Sequence, residues 1–304
     1  MPLRVAIPDM VSPSYFPAIA AVELGFFAKE GLDAAVELIF PVTRTYEELR
    51  EGRIAFAGGA AHAALYAFPD WRGCQLLCAL SRNMYWFLVV RKDLGARRGD
   101  LSALKGLRVG AAPGPVDGLK RMLAESGIDP EREVRIGPVP GSAGAGVSFG
   151  MAAANALERG AIDAFWANGM AAEVAVRAGT GSLVVDARRG DGPSGSQDYT
   201  FAALVASQER IDAAPETAAA AVRAVVGAQG ALKADPSLAS RAARRLFPPA
   251  ELALIDELVR RDSQYYEPLI SQASVRALNA FARSAGLLSR EPAYEEVVAA
   301  QSRA

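Results

Sequence analysis

The sequence offers few of the side chains on which metal-dependent or nucleophilic catalysis relies. Its only histidine is His62, and its two cysteines are Cys74 and Cys78. These three residues do not make a zinc site of the usual kind, and no nucleophile motif accompanies His62. We therefore expect no metal and no cofactor. In an extended segment, cysteines four positions apart are too distant for a disulfide, so we interpret them as packing residues.

Arginines near the ends of predicted strands are the candidates for binding an anion. A guanidinium group presents a planar pair of donors that matches the oxygens of a carboxylate or a sulfonate. Arg82 lies where the chain passes from one predicted sheet to the next, and Arg44 follows the second predicted strand. Arg82 is the first candidate and Arg44 the second. The alternative for each is an ordinary surface arginine.

A first loop of interest contains Ser12, Ser14 and Tyr15, which follow the first predicted strand. In open α/β sheets a ligand binds beyond the carboxyl ends of the strands, where helix N-termini present unpaired N–H groups. We expect the two hydroxyls and the ring to contact a ligand. The alternative is that Ser14 only caps the helix that follows.

A second loop holds Gly58, Gly59 and Ala60 ahead of His62. Glycines at the end of a strand let the backbone approach a ligand closely, and a small alanine leaves the entrance to the next helix open. We interpret His62 as a ligand-binding group that makes one hydrogen bond. The alternative is a histidine that is simply packed in the interior.

Two further loops come from the middle of the chain. Gly114, Pro115 and Val116 lead into a predicted helix, and Gly114 permits close approach of the backbone to a ligand. Trp166 and Asn168 end a later predicted strand. Trp166 is either a ligand contact or part of the sheet core, whereas a core position explains Asn168 less well.

Aromatic side chains recur near these loops, namely Tyr15, Tyr85, Trp86, Trp166 and Tyr199. They favour a planar or partly apolar ligand over a bare inorganic ion. We include Tyr85 and Tyr199 in the candidate site, together with Asn83, which lies next to Arg82 in the same crossing segment.

A glycine-rich segment at 141–146 is similar in composition to a phosphate-binding loop. It lacks the Gly-Lys-Ser/Thr ending through which such loops hold phosphate and magnesium. We interpret it as a flexible connection.

Alternating strands and helices are predicted to hold these loops in place. The first group of strands is 3–7, 32–38, 54–57 and 75–80, and the helices between them are 17–27, 45–51 and 60–67. The second group of strands is 107–110, 134–136, 161–166 and 183–185, and its helices are 116–126, 151–159 and 171–178. Such alternation is typical of mainly parallel sheets with helices on both faces.

Two apolar strands, 85–91 and 200–206, have no helix ahead of them and join the two groups. From residue 215 onward the pattern predicts helices only. The sequence therefore predicts an α/β protein with two lobes and a ligand cleft between them. Lobe I comprises residues 1–88 and 200–304, and lobe II comprises residues 89–199.

The composition limits the range of partners. The chain has 304 residues, 51% of them hydrophobic, and 33 Lys plus Arg stand against 34 Asp plus Glu. This balance gives no general attraction to nucleic acid, and no apolar run reaches the roughly 18 residues that span a bilayer. No signal peptide is recognisable at the start. We expect a periplasmic or other extracytoplasmic protein if an export signal was removed, or else a cytoplasmic one.

The sequence resembles a known family in several segments that follow one another in the same order. Residues 15–21 read YFPAIAA and residues 23–32 read ELGFFAKEGL. LKGLRVG follows at 104–110 and ALERGAIDA at 156–164, ahead of the helical tail. These segments resemble type 2 periplasmic solute-binding proteins, specifically the group serving sulfonates, nitrate, taurine and thiamine-pyrimidine precursors.

The resemblance implies a receptor that captures a small organic ligand, anionic or heteroaromatic, by hinge closure. It also implies the membrane subunits of an ABC importer as partners, and it places the loop of His62 in the ligand cleft. Cytoplasmic enzymes on the same scaffold are the alternative: aromatic-acid decarboxylases, menaquinone-pathway enzymes and thiamine-pyrimidine synthases. The last group carries a histidine at a similar place, but here no lysine lies near His62 and no cysteine-rich segment follows.

Overall fold

The computed structural model describes residues 2–143 and 146–300. Two residues of the predicted flexible connection, Gly144 and Ala145, lie outside it, as do the two ends of predicted lobe I. The chain forms two compact units. The first takes in the chain up to Arg82 and again from Thr200, and the second is Asn83–Tyr199.

The strands of the described chain are β1 (Leu3–Ile7), β2 (Ala34–Leu38), β3 (Phe56–Ala60), β4 (Cys74–Ser81), β5 (Phe87–Arg91), β6 (Arg108–Ala111), β7 (Arg135–Gly137), β8 (Ala164–Ala167), β9 (Gly181–Asp186) and β10 (Ala202–Ser207). The α-helices are α1 (Phe16–Glu23), α2 (Phe26–Lys29), α3 (Val42–Arg50), α4 (Val116–Glu125), α5 (Phe149–Glu158), α6 (Gly169–Arg177), α7 (Gln208–Ala213), α8 (Pro215–Ala234), α9 (Leu238–Ala243), α10 (Pro249–Asp262), α11 (Gln272–Ser284) and α12 (Tyr294–Val297). Short 3-10 helices occupy Ala61–Tyr66, Pro69–Trp71, Lys92–Leu94, Leu101–Leu104, Ala187–Arg189, Ser196–Asp198 and Ser263–Tyr265.

The sheet of the first unit has the strand order β2-β1-β3-β10-β4. β1 pairs in parallel with β2 and β3, whereas β10 runs antiparallel between β3 and β4. At the start of β10, Ala202 lies opposite both Ala60 and Ser81. The carboxyl ends of β3 and β4 therefore lie at the same edge of the sheet as the beginning of β10.

The sheet of the second unit has the order β7-β6-β8-β5-β9, and only β5 is antiparallel to its neighbours. At the start of β5, Phe87 lies opposite both Ala167 and Asp186. β5 pairs along its length with strands of this sheet, and it belongs to the second unit. The predicted α/β class, with two mainly parallel sheets and two crossing strands, is confirmed.

Helices cover both faces of the first sheet. A Cβ atom at Gly58 would meet Ala18 of α1, and one at Gly59 would meet Val42 of α3, so these two helices lie on opposite faces. The long helix α8 begins the predicted helical tail and packs against α1. None of the helices in the described part of the chain is long and apolar enough to cross a bilayer.

Three local predictions differ from the structure. The predicted helix at 17–27 is divided into α1 and α2, because Gly25 adopts a left-handed conformation (φ +79°) that an α-helix cannot continue. The predicted helix at 60–67 is a 3-10 helix. Ser14 does not cap α1, since the N-cap residue is Tyr15 and no side chain caps this end. Pro17 lies in the first turn, where its missing N–H removes one of the donors that a cap would satisfy.

Candidate functional site

In the first unit, polar side chains gather at the carboxyl edge of the sheet. Ser81 ends β4, His62 follows β3, and Thr200 precedes β10. The register that places Ala202 opposite Ala60 and Ser81 brings these residues to one edge. This is the edge at which open α/β sheets bind ligands.

His62 is fully buried and held in a fixed orientation. Its Nδ1 atom lies 3.0 Å from the Thr200 hydroxyl oxygen, which also accepts the backbone N–H of His62 at 3.4 Å. The imidazole packs edge-on against the ring of Phe281 in α11, with 5.3 Å between the ring centroids. The histidine is thus packed in the interior, and it also belongs to a polar group at the sheet edge.

The loop after β1 places Ser12, Ser14 and Tyr15 in buried positions. The Ser12 hydroxyl has no hydrogen-bond partner in the part of the chain that the structure describes, and the same holds for the Ser81 hydroxyl at the end of β4. Burial of an unpaired hydroxyl is unfavourable, and most buried polar groups in native proteins are paired. These two hydroxyls are therefore suited to meet a polar atom of a bound molecule.

Gly58 and Gly59 serve packing within the protein. A Cβ atom at Gly58 would lie 2.9 Å from Ile7 Cγ2, and one at Gly59 would lie 2.8 Å from Val42 Cγ2. The space on the Cβ side of these glycines is thus filled by side chains of the same unit. Ala60 ends the strand, and its carbonyl accepts a hydrogen bond from Tyr46 Oη at 3.0 Å. Burial raises the pKa of Tyr46 well above its usual range.

The two arginines proposed as anion-binding groups differ in their surroundings. Arg44 lies on the solvent side of α3 and pairs with Glu47 at 3.1 Å and with Glu48, so its charge is already balanced. Arg82 is exposed, and its guanidinium lies 6.0 Å from the ring centroid of Tyr265. Among the described residues no carboxylate pairs with Arg82, which leaves it as the stronger candidate of the two.

In the second unit, the corresponding edge is built from the ends of β6, β8 and β9. Gly114 adopts a left-handed conformation (φ +87°) in the turn before α4, and Val116 begins this helix. The carbonyl of Pro115 accepts a hydrogen bond from the Trp166 indole N–H at 3.0 Å. Trp166 itself is fully buried within β8. Its placement supports the core alternative, and it fixes the loop that leads into α4.

Asn168 has a structural role that was not predicted from the sequence. Its side-chain oxygen accepts the backbone N–H of Ala171 at 3.0 Å and so caps α6. Its amide group lies so close to Gly150 that a Cβ atom there would be 2.6 Å from Asn168 Nδ2. The position of Asn168 at the carboxyl end of β8 keeps it in the candidate site as a residue that shapes the edge.

The remaining candidates lie near the two crossings between the units. Asn83 has a positive φ of 63° and donates a hydrogen bond to the Arg188 carbonyl at 3.3 Å. Tyr85 is buried and packs against Trp86, with ring centroids 4.6 Å apart. Tyr199 donates its hydroxyl to Glu125, and burial raises the pKa of this tyrosine.

Sequence reasoning missed several polar residues at these edges, namely Ser81, Thr200, Asp186, Arg188 and Ser196. All five are buried. Each lies within a few residues of the start or end of a predicted strand, and that position was the available signal.

The described residues include no group of three His, Cys, Asp or Glu side chains placed to hold a metal ion. Both cysteines are buried in β4. Burial raises the pKa of both thiols, to about 12 for Cys78. Neither cysteine therefore supplies a thiolate at neutral pH.

The chain matches one protein-family model, described as NMT1/THI5 like, over residues 12–239. A search of curated proteins gives no significant match. Solved structures, in contrast, share the fold over nearly the whole chain.

A protein from Bordetella bronchiseptica RB50 aligns with a TM-score of 0.74 and 21% identity, covering 99% of this chain and 93% of that one. The alkanesulfonate-binding protein SsuA from Xanthomonas axonopodis pv. citri, bound to MOPS, has a TM-score of 0.70 and 16% identity, covering 99% and 96%. The periplasmic nitrate-binding protein NrtA from Synechocystis PCC 6803 has a TM-score of 0.68 and 15% identity, covering 99% and 92%. At these identities the likeness shows a common fold.

Proposed function

Because this chain belongs to the NMT1/THI5-like family, we propose that it is a solute-binding protein that captures one small organic molecule and delivers it to an ABC importer. The resemblance to the sulfonate- and nitrate-binding group of type 2 periplasmic solute-binding proteins is confirmed, and so is the fold that it implied. The importer subunits are the partners that this function requires, and an extracytoplasmic location follows from it.

The observation that carries the proposal is the pair of buried, unpaired hydroxyls at the carboxyl edge of the first sheet. Ser12 and Ser81 have no hydrogen-bond partner among the described residues, and the ordered pair His62 and Thr200 lies at the same edge. A solute with polar atoms would satisfy the two hydroxyls. A binding protein needs such groups in a fixed arrangement, and it needs no nucleophile.

We assign the solute to a cleft between the lobes predicted from the sequence, with closure about the two crossings. Closure is favoured when the solute makes contacts that only the closed form provides. The crossing residues suit this role, because Asn83 already occupies an uncommon backbone conformation beside the first crossing. The residues proposed to contact or position the solute are Ser12, Ser14, Tyr15, Ala60, His62, Arg82, Asn83, Tyr85, Gly114, Pro115, Val116, Asn168 and Tyr199.

The proposed solute is a small organic molecule that is anionic or heteroaromatic. Two proteins of the same fold are an alkanesulfonate-binding protein and a nitrate-binding protein, which supports an anion. The aromatic residues Tyr15, Tyr85 and Trp86 support a ligand with a planar or apolar part.

Native mass spectrometry of the freshly purified protein tests this function. We expect one small molecule of definite mass per chain, which is released when the protein is denatured. Scattering profiles recorded with and without this molecule are expected to differ if closure accompanies binding. A protein that carries no small molecule and gains none from a mixture of sulfonates, carboxylates and heteroaromatic metabolites would contradict the proposal.

A further inference from the structure

One buried amide interrupts the apolar face of α8. The other buried positions of this helix hold alanine, valine and leucine. Gln229 lies among them and is only 2% exposed. A glutamine is seldom buried, because its amide loses its hydrogen bonds to water, so a buried one needs partners within the protein. The hydrogen bonds of Gln229 therefore indicate its role.

The amide of Gln229 is bound to the strand β4. Its Nε2 atom donates to the carbonyl oxygens of Ala79 and Leu80, each at 2.9 Å. An amide nitrogen carries two hydrogens, so both of its donors are used. The two acceptor residues directly precede Ser81, the last residue of β4. The side chain thus ties the carboxyl end of β4 to α8.

This end of β4 contains a β-bulge. Ala79 lies opposite Ala203 of β10. The preceding residue of β10, Ala202, lies opposite Ser81, so Leu80 is the extra residue of the bulge. A bulge interrupts the ladder and changes the direction of the side chains around it. The carbonyl groups that the buried amide holds are those of the bulge residue and of the residue before it.

The bulge determines the face of the sheet on which Ser81 lies. Leu80 is on the α1 face, since a Cβ atom added to Gly58 on that face would lie 3.2 Å from Leu80 Cδ1. In a regular strand the next residue, Ser81, would point to the opposite face. Ser81 instead lies opposite Ala202, which pairs with Ala60 on the same face as Gly58. The bulge therefore turns the Ser81 hydroxyl to the α1 face.

The outer side of β4 is held by a neighbouring segment. The backbone N–H of Ala79 donates to the Pro268 carbonyl at 2.9 Å, and that of Arg82 donates to the Tyr265 carbonyl at 2.8 Å. The backbone around the bulge is thus fixed from two sides, while the buried Ser81 hydroxyl has no partner among the described residues. A fixed backbone with an unsatisfied polar side chain is the arrangement expected of a preorganised binding group.

We propose that Gln229 is a positioning residue of the solute site, whose amide keeps the bulge at Leu80 in the form that turns the Ser81 hydroxyl towards the solute. This inference rests on the proposed solute-binding function and assigns a further residue to it. Gln229 acts through Ser81 and does not itself contact the solute. Loss of its amide should therefore weaken binding only while the Ser81 hydroxyl is present.

A double-mutant cycle between Gln229 and Ser81 tests this role. The proteins compared are the wild type, Gln229→Met, Ser81→Ala and the double variant. Gln229→Met keeps the length of the side chain without its donors, and Gln229→Ala replaces it if it does not fold, because alanine is the best helix former. Val225→Ala, one turn earlier on the same buried face, is the matched control, since it removes buried volume but no hydrogen bond.

Three measurements are made on each protein. Calorimetry gives the Kd of the co-purified molecule or, if the protein is empty, of the tightest-binding of three probes: propane-1-sulfonate, benzoate and 4-aminopyrimidine. Urea unfolding gives the stability. Amide hydrogen exchange without any probe reports how readily the backbone opens at residues 80–82.

We expect Gln229→Met to weaken binding by about as much as Ser81→Ala, roughly 2- to 10-fold, the range of one neutral hydrogen bond. The double variant should bind no more weakly than the weaker of the two single variants, whereas independent losses would multiply to about 4- to 100-fold. Exchange at residues 80–82 should be about tenfold faster in Gln229→Met. Val225→Ala should be less stable than the wild type but should keep its Kd within about twofold.

Multiplied losses in the double variant, or a Gln229→Met protein that binds like the wild type, would overturn the positioning role and leave the solute-binding function standing. Unchanged exchange at residues 80–82, or an equal loss of affinity in Val225→Ala, would overturn it as well. If Ser81→Ala binds like the wild type, the role of Gln229 fails together with that of the hydroxyl. If the wild-type protein carries no molecule and binds none of the probes, the proposed function itself fails.

Discussion

Removal of the Ser12 and Ser81 hydroxyls is expected to weaken solute binding without lowering the stability of the protein. Both hydroxyls are buried and lack a partner among the described residues, so each imposes a desolvation cost of about 1–3 kcal/mol without a compensating hydrogen bond. Ser12→Ala and Ser81→Ala remove that cost and little volume. In the absence of solute, each is therefore expected to leave the free energy of unfolding unchanged or raise it by up to about 1 kcal/mol.

Thr45→Val is the matched control in the same unit. Thr45 is also fully buried, but its hydroxyl donates to the Ile39 carbonyl at 2.5 Å. The loss of this hydrogen bond should lower the free energy of unfolding by about 1 kcal/mol. Substitutions of the same kind, each deleting one buried hydroxyl, are thus expected to change stability in opposite directions or by clearly different amounts.

Two measurements on the same variants distinguish a binding role of the hydroxyls from a structural one. Urea unfolding without solute gives the stability, and calorimetry with the solute found by native mass spectrometry gives the affinity. Each serine variant should bind the solute about 2- to 10-fold more weakly, the range of one neutral hydrogen bond. If Ser12→Ala and Ser81→Ala destabilise the protein as much as Thr45→Val and bind the solute normally, the hydroxyls have a structural role and the argument is refuted.

Three further predictions concern single residues. His62→Gln should weaken solute binding by up to about tenfold in calorimetry, because the glutamine amide reproduces only part of the hydrogen bonding and packing of the imidazole ring. Unchanged affinity would show that the solute does not contact His62. Gly59→Ala should lower the free energy of unfolding by about 1–3 kcal/mol in a urea titration, since the new methyl group would meet Val42 at 2.8 Å; a neutral effect would contradict the packing described. Hydrogen bonds from Arg108 lower the pKa of Asp163 to about 2 in the folded protein, below its unfolded value near 3.9, so its stabilising effect is complete above about pH 4 and is lost as the pH falls towards 2. Asp163→Asn should accordingly lower the free energy of unfolding by about 1 kcal/mol at neutral pH, and this loss relative to wild type should shrink as the pH falls. A loss that does not depend on pH would show that the charge of Asp163 is not its source.

The sheets were predictable from the sequence because their strands are short apolar runs separated by helical segments and turn residues. This pattern gave the strands of both sheets and the two crossing strands, β5 and β10, since no helix precedes either of them. It did not separate α1 from α2, because Gly25 within an apolar helical pattern gives no sign of its backbone conformation.

The candidate site was less predictable because residue type does not disclose burial or partners. The sequence shows glycines at 58 and 59, but it does not show that Ile7 and Val42 fill the space where their Cβ atoms would lie. Arg188 and Arg189 are adjacent and of the same type, yet the first is buried and the second is exposed. Such distinctions depend on long-range packing between segments that are far apart in sequence.

We propose that the protein binds a small organic solute and leaves it chemically unchanged. The most direct test is to incubate the solute identified by native mass spectrometry with wild-type protein and with His62→Gln, and to follow the mass of the solute over time. We expect both proteins to return the solute at its original mass, because the chain has one histidine and the cysteine thiols in β4 are buried with raised pKa values. Conversion of the solute by the wild-type protein, lost in His62→Gln, would contradict the proposed function and identify an enzyme.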